Sequence, residues 1–195
     1  MQNKKWHMYF IMWVSGAGKW TLLKNLRDGE LSDLFFLKSY VTRPMREWEV
    51  GGEIYNFISS EDFQVSIDAG EFLEYEWVHK TAYYGTKWAD AIENGIDAWK
   101  KVLKEIEIAG LKNILTNNPQ IRPNMTSIFL DISPETLRER IKMRGATMTD
   151  LDLSNRLDSL EIEKRDSKTY CDHIIDTSDL TPEQVLEQVV SIINK

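Results

Sequence analysis

The 195-residue chain is 42% hydrophobic and 28% charged with 5 Pro, a balance that excludes a disordered, collagen-like or low-complexity chain and suits one packed domain of moderate size. Lys and Arg number 24 against 31 Asp and Glu, and the net charge of −7 argues against a nucleic-acid coat or a binder of anionic membranes acting through bulk charge. The single Cys, Cys171, cannot form an internal disulfide, and 7 Trp beside only 10 Gly is an inverted balance, since Gly alone usually makes up about 7% of a chain.

Met8–Val14 is a β-rich apolar run of strand length, far too short to cross a bilayer and followed by Ser-Gly-Ala-Gly-Lys rather than a signal-peptidase site. It predicts a buried strand, and the lone Cys with no disulfide framework leads to the expectation of a reducing cytoplasm. After Ser15–Gly18, Thr21–Leu26 takes up helical spacing, so the order is strand, glycine loop, helix. Lys38–Gly52 lacks either period and reads as loop and turn. Tyr55–Ile58 suits a short strand, and Ser60-Glu-Asp-Phe63 opens a helix to about Ala69, with Ser as cap and acids in the first turn. Glu71–Val78 and Ala82–Gly85 alternate as strands of a small sheet do, and Lys87–Asn94 has helical spacing. Val102–Ile108 reads as a strand ending at Gly110, and Asn117–Asn124 as a loop. Ser127–Ile132 reads as another strand, followed by Ser133-Pro134 and a helix Glu135–Arg144. Asp150–Lys168 is charged with Leu at helical spacing, His173–Asp176 is a short final strand, and Thr181-Pro-Glu-Gln184 is a capping box opening the last helix. Strands alternating with helices at both ends of the chain imply a parallel α/β core.

A phosphate loop needs glycines that let consecutive amides curl around phosphate oxygens, a Lys for the outer phosphates and a hydroxyl for Mg²⁺. Val14-Ser15-Gly16-Ala17-Gly18-Lys19 and the hydroxyl of Thr21 supply most of this between a strand and a helix N-terminus. The full pattern asks for Gly at position 13 and Ser or Thr at position 20, and both are Trp here. The alternative for such a stretch is a glycine turn with no ligand. His7, His79 and His173 lie apart without metal-ligand spacing, and Cys171 reads as structural.

Five further motifs follow in order: Ser39-Tyr-Val-Thr42-Arg43-Pro-Met-Arg46, Glu49-Val50, Tyr55-Asn-Phe57, Gly70-Glu-Phe-Leu-Glu74 and Tyr83-Tyr84-Gly85-Thr86. Singly each has a bland reading, since two Arg near a Pro usually make a solvated loop and a Tyr pair is more often core. Together with the phosphate loop they resemble the guanylate kinase family over about residues 8–193. That resemblance implies a P-loop α/β kinase with a parallel sheet core flanked by helices, at about 6–38, 87–137 and 169–195. It further implies an inserted mixed α/β GMP-binding subdomain at about 39–86 and a helical lid at about 138–168. The implied reaction transfers the γ-phosphoryl of ATP to GMP with Mg²⁺, the partners being small nucleotides rather than nucleic acid or membrane.

The resemblance carries over residue by residue. Val14, Ser15, Gly16, Ala17, Gly18, Lys19 and Thr21 would hold the ATP phosphates, and Ser39, Arg43, Arg46, Tyr55, Glu74, Tyr84, Thr86 and Glu107 would hold GMP. Arg43 and Arg46 suit a phosphate because the guanidinium fork makes paired charge-assisted bonds. Glu74 suits guanine N1–H and the 2-amino group. Glu105 or Glu107, at period two on the expected strand, would face the nucleotide or its metal, with Thr21 and Glu105 as metal candidates. Catalysis would rest on Lys19, Arg43 and the lid pair Arg144 and Arg156, while Arg138 and Arg140 read as surface salt-bridge residues. Thr177 stands where the family carries an adenine-side Asn. Two rival readings are another small-acceptor P-loop kinase and a non-catalytic guanylate kinase-like binding module. Oligomeric state is left open.

Trp13, Trp20, Trp48 and Trp99 all stand where the family has or allows Gly. Turning these four into Gly would raise a count of 10 to the usual share of about 7%. The expectation is a gene in which UGA means Gly, read here as Trp, and a literal polypeptide impaired at its phosphate loop.

Overall fold

The computed structural model describes residues 6–14, 16–29, 31, 33–47, 49, 54–78, 81–97, 100–143 and 149–195. The expectations placed on Ser15, Trp48, Val50, Gly51, Gly52, His79, Trp99, Arg144 and Gly145 lie outside those residues. The chain folds as two compact units. One comprises Met1–Met8, Asp33–Glu105 and Ala109–Met125, and the other Tyr9–Ser32, Ile106–Ile108 and Thr126–Lys195.

The second unit carries the glycine loop. Its strands lie in the order β1 (Met8–Trp13), β8 (Met125–Asp131), β9 (His173–Asp176), with β8 and β9 parallel from Ile128 opposite His173 to Asp131 opposite Asp176. Phe10, Ile11, Met12, Ile128, Phe129 and Leu130 are all buried, a continuous apolar run rather than an alternating one. A strand reads that way when helices cover both of its faces. The helices are α1 (Lys19–Asp28), α5 (Pro134–Met143), α6 (Asp150–Tyr170) and α7 (Pro182–Ile193). Two predicted starts hold: Ser133 Oγ accepts from Thr136 N at 3.0 Å, and Thr181 and Gln184 form the reciprocal capping box with Pro182 in the first turn. Helix α1 differs, because its cap is Gly18, which has no side chain to offer the first amides. Amides at a helix N-terminus suit an anion.

The first unit pairs β2 (Leu34–Phe36) with β7 (Lys101–Glu105) in parallel, Leu34 opposite Lys101. Its second sheet has the order β4-β3-β6-β5, from β3 (Ser39–Val41), β4 (Tyr55–Phe57), β5 (Phe72–Val78) and β6 (Ala82–Lys87). Helix α2 (Ser60–Asp68) packs on one face of this sheet through Phe63, which stacks on Phe72 at 4.4 Å and Tyr83 at 5.1 Å. A Cβ at position 85 would sit 2.9 Å from Phe63 and Phe72, so that aromatic packing makes residue 85 Gly. After α3 (Trp88–Ala91) comes a π-helical turn, Ile92–Ile96, and α4 (Ile108–Asn117) leads into a 3₁₀ turn, Pro119–Asn124.

Three expectations shift. Strand β3 lies inside the stretch expected to be loop, because Ser39, Tyr40 and Val41 are stitched between β4 and β6. The α2 cap is Ser59, not Ser60, its side chain accepting from Asp62 N. The strand expected over Val102–Ile108 stops at Glu105, and Gly110 lies buried inside α4. Glu105 and Glu107 therefore do not share a strand face. Leu111 and Ile114, apolar at helical spacing, are buried from a helix instead. Among the described residues no helix is long and apolar enough to cross a membrane.

Candidate active site

The glycine loop turns on two left-handed residues, Gly16 at φ +94° and Gly18 at φ +93°, which only glycine adopts cheaply. A Cβ on Gly16 would also lie 2.8 Å from Leu137 Cδ1. Ala17 N donates back to Val14 O at 3.1 Å, closing the turn, and Val14 is buried. The loop forms one wall of a cavity of about 280 Å³ whose lining includes Gly16, Gly18, Thr21, Arg140, Thr177 and Pro182. Arg140 spans it: Nη1 donates to Gly16 O at 2.9 Å and Nη2 to Thr177 O at 2.8 Å. Arg140 is thus not the surface salt-bridge residue expected. Helix α5 turns it toward the loop, whereas Arg138 meets Glu135 on the exposed side. Thr177 is buried and donates through Oγ1 to Asp131 O at 2.8 Å, so the end of β9 holds the opposite wall.

Lys19 does not stand clear of its neighbours. Its Nζ lies 3.9 Å from the Trp13 ring centroid and 5.2 Å from that of Trp20, a cation held over two π faces. Trp20 is 50% exposed, a large apolar group left in solvent beside the cavity-lining Thr21.

In the other unit, cross-strand partners and residues two apart share a sheet face. Tyr55 is opposite Ser39, Tyr84 opposite Val41, and Glu74 opposite Thr86. Ser39, Tyr55, Glu74, Tyr84 and Thr86 thus all rise from the face away from Phe63. A bulge between Phe72 and Glu74 makes this possible: Phe72 and Tyr75 both pack on Phe63 while Glu74 points to the other side. At one end of the face Thr86 Oγ1 donates to Glu74 Oε1 at 2.5 Å, both side chains being buried.

At the other end Arg43 Nε donates to the Tyr84 hydroxyl at 2.9 Å, and its guanidinium lies 5.2 Å from the Tyr55 ring and 5.4 Å from the Phe57 ring. Glu49 completes the cluster. Its two carboxylate oxygens accept from Arg43 Nη1 and Nη2 at 2.6 Å each, and Oε2 also takes Arg46 N at 2.8 Å. Those bonds hold the buried Glu49 carboxyl down at about 2 and raise Arg43 above the ordinary guanidinium value. Burial, with the Glu105 carboxylate next in importance, pushes the Tyr55 phenol up to about 12, which keeps it a neutral donor. Arg46 has an exposed side chain.

Not every candidate joins this face. Glu107 lies past the end of β7, exposed, and belongs to the glycine-loop unit, where burial, and after it the Glu107 carboxylate, raise the Glu163 carboxyl to about 7. Arg156 is exposed on α6, which Lys164 anchors by a 3.0 Å pair with Asp131 and a 3.2 Å bond to Ile132 O. Among the described residues no group of three or more His, Cys, Asp or Glu could hold a metal.

Sequence reading missed Arg140, gave no role to Glu49 and passed over Lys104, which is 1% exposed in β7. A charge inside the apolar run Val102-Leu103-Lys104 was the available signal for the last. An acid three residues after Arg46 was the signal for the second.

A family model described as Guanylate kinase matches residues 6–195. A guanylate kinase of Campylobacter jejuni (strain RM1221) is 35% identical over 167 residues, which is 85% of this chain and 78% of that protein. One of Sulfurimonas denitrificans is 34% identical over 174 residues, 89% of this chain and 80% of its own. A crystal structure of guanylate kinase from Anaplasma phagocytophilum superposes with TM-score 0.70 at 22% identity, covering 97% of this chain and 85% of that one, and bears on the fold.

Proposed function

Since the chain belongs to the guanylate kinase family, we propose how its own residues divide the transfer of a phosphoryl group from ATP to GMP. The observation that carries the reading is the single sheet face that lines up Tyr84, Tyr55, Ser39, Thr86 and Glu74. Its Arg43 end takes the GMP phosphate and its Glu74 end takes the base. Arg43, oriented by Glu49, Tyr84 and Pro44 O, brings its positive charge to the phosphate, and Tyr84 and Tyr55 add phenolic hydrogen bonds. Glu74, with Thr86 donating to one oxygen, keeps acceptor capacity for guanine N1–H and the 2-amino group, a donor pair that adenine lacks.

On the ATP side, the open amides at the start of α1 and the loop around Gly16 and Gly18 hold phosphate oxygens, with Lys19 reaching the outer ones. Arg140 sets the width of the cavity by tying Gly16 to Thr177. Arg156, with Arg144 of the expected lid, brings positive charge over the transferring group, which moves directly in line from ATP to the GMP phosphate. Closing a lid excludes the water that would otherwise accept it. Thr21 offers a hydroxyl in the cavity to a Mg²⁺ that arrives on the nucleotide. Mg²⁺ commonly keeps water and phosphate ligands in this way rather than an all-protein cage. When bound, it neutralises charge on the ATP phosphates.

Coupled ADP release with Mg²⁺-ATP tests the reading, the expected result being turnover with GMP and none with AMP. One observation favours a second reading, a GMP-binding module without turnover: Lys19 is engaged over Trp13 at 3.9 Å. GMP binding without ADP release would support it, and phosphorylation of a different nucleotide would overturn the role given to Glu74.

A further inference from the structure

Lys104 is a buried cation that the reaction as described does not use. At 1% exposure it sits among Val102 and Leu103, where an unsolvated charge is costly unless hydrogen bonds hold it. Its Nζ donates to Ser39 Oγ at 2.5 Å and to Leu37 O at 3.4 Å. An ammonium has three protons and no lone pair, so the Ser39 hydroxyl cannot donate to it. The hydroxyl proton must point elsewhere.

Ser39 is opposite Tyr55 in the β3–β4 register. One step along the β3–β6 register, where Tyr40 meets Gly85, Ser39 comes level with Thr86, the partner of Glu74. A nucleotide stretched from Arg43 to Glu74 therefore passes over it. With Glu74 on N1–H and the 2-amino group, the neighbouring edge of guanine offers only acceptors, the 6-oxo group and N7. Adenine has a 6-amino donor there.

We propose that Lys104 is a positioning residue for base selection, polarising the Ser39 hydroxyl and fixing it as a donor to the 6-oxo edge of guanine. The inference rests on the GMP site proposed above. Glu74 then selects the donor side of the base and the Lys104–Ser39 pair its acceptor side. A donor facing a donor would leave two buried groups unpaired, which is why such a pair rejects adenine more strongly than an apolar wall would.

The experiment is calorimetric binding of GMP and 6-thio-GMP, which keeps N1–H and the 2-amino group but offers a poor acceptor at position 6. Binding needs no turnover, so Trp13 and Trp20 do not obscure it. Lys104→Met should weaken GMP about tenfold, the scale of one oriented hydrogen bond, and 6-thio-GMP less than about twofold. Ser39→Ala should reproduce that pattern with Lys104 intact, and the double variant should add little beyond either single one. Replacing a buried ion by an apolar group of similar length is often neutral or stabilising, so Lys104→Met should melt no lower than the unaltered chain. Equal losses on both nucleotides, or none on GMP, would overturn the proposal and leave the GMP site standing. No GMP binding by the unaltered chain would overturn that site, and this inference with it.

Discussion

Arg43 and Glu49 form a bidentate ion pair at the Arg43 end of the proposed acceptor site. Both carboxylate oxygens accept from the guanidinium while Oε2 also holds Arg46 N, so Glu49 freezes the rotamer of Arg43 and the loop that carries Arg46. Glu49→Gln keeps the shape and removes the charge, and should weaken GMP about tenfold by letting Arg43 wander, read as a calorimetric Kd. Because the Glu49 carboxyl is held down at about 2, below the ordinary 4.5, its contribution is complete above pH 4.5 and fades only as pH falls toward 2. The pair therefore does not modulate activity near neutrality. Lys19 is the contrasting case. Trp13→Gly with Trp20→Gly takes away both rings that hold its ammonium and restores a backbone able to approach phosphate. The double variant should lower the KM for ATP by about tenfold or more, measured by ADP release at saturating GMP. An unchanged KM would mean that the rings do not compete with the phosphates.

At the scale of elements, the proposed acceptor site is one face of one small sheet, and two different demands act on that sheet. Glu74, Tyr84 and Thr86 share one sheet face, and Gly85 is glycine because Phe63 and Phe72 occupy the other side. The Phe72–Glu74 bulge reconciles the two faces. Helix α6 is docked by Lys164 on Asp131, with Leu160 and Ser167 buried along it and Arg156 exposed nearer its start. It also carries a titratable load, Glu163, raised to about 7 by burial and then by Glu107. The unfolded chain releases that proton near 4.5, so between about pH 4.5 and 7 the folded state binds more protons and stability falls as pH rises. Melting temperature should decline across that window, and Glu163→Gln should flatten the decline. An unaltered slope in the variant would assign the pH dependence elsewhere.

At the scale of the whole molecule, the family match over residues 6–195 makes the four Trp positions a question about the gene. The UGA expectation predicts UGA codons at 13, 20, 48 and 99 in the coding DNA, with UGG at Trp6, Trp77 and Trp88. UGG at the first four would sink it. Strand, loop and helix order at both ends of the chain was legible from the sequence because hydrophobic period and capping residues are local properties. Met8–Trp13 and the Thr181 box needed no tertiary information. The family was legible as well, since the residue types and spacing of its motifs are local properties. Tertiary packing alone decided the rest. Whether Arg140 meets water or Gly16 depends on the rotation of α5, and whether β7 runs past Glu105 depends on its neighbouring chain. Whether Lys104 meets water or donates a hydrogen bond to Ser39 depends on a contact 65 residues away, and no local pattern encodes a contact of that span.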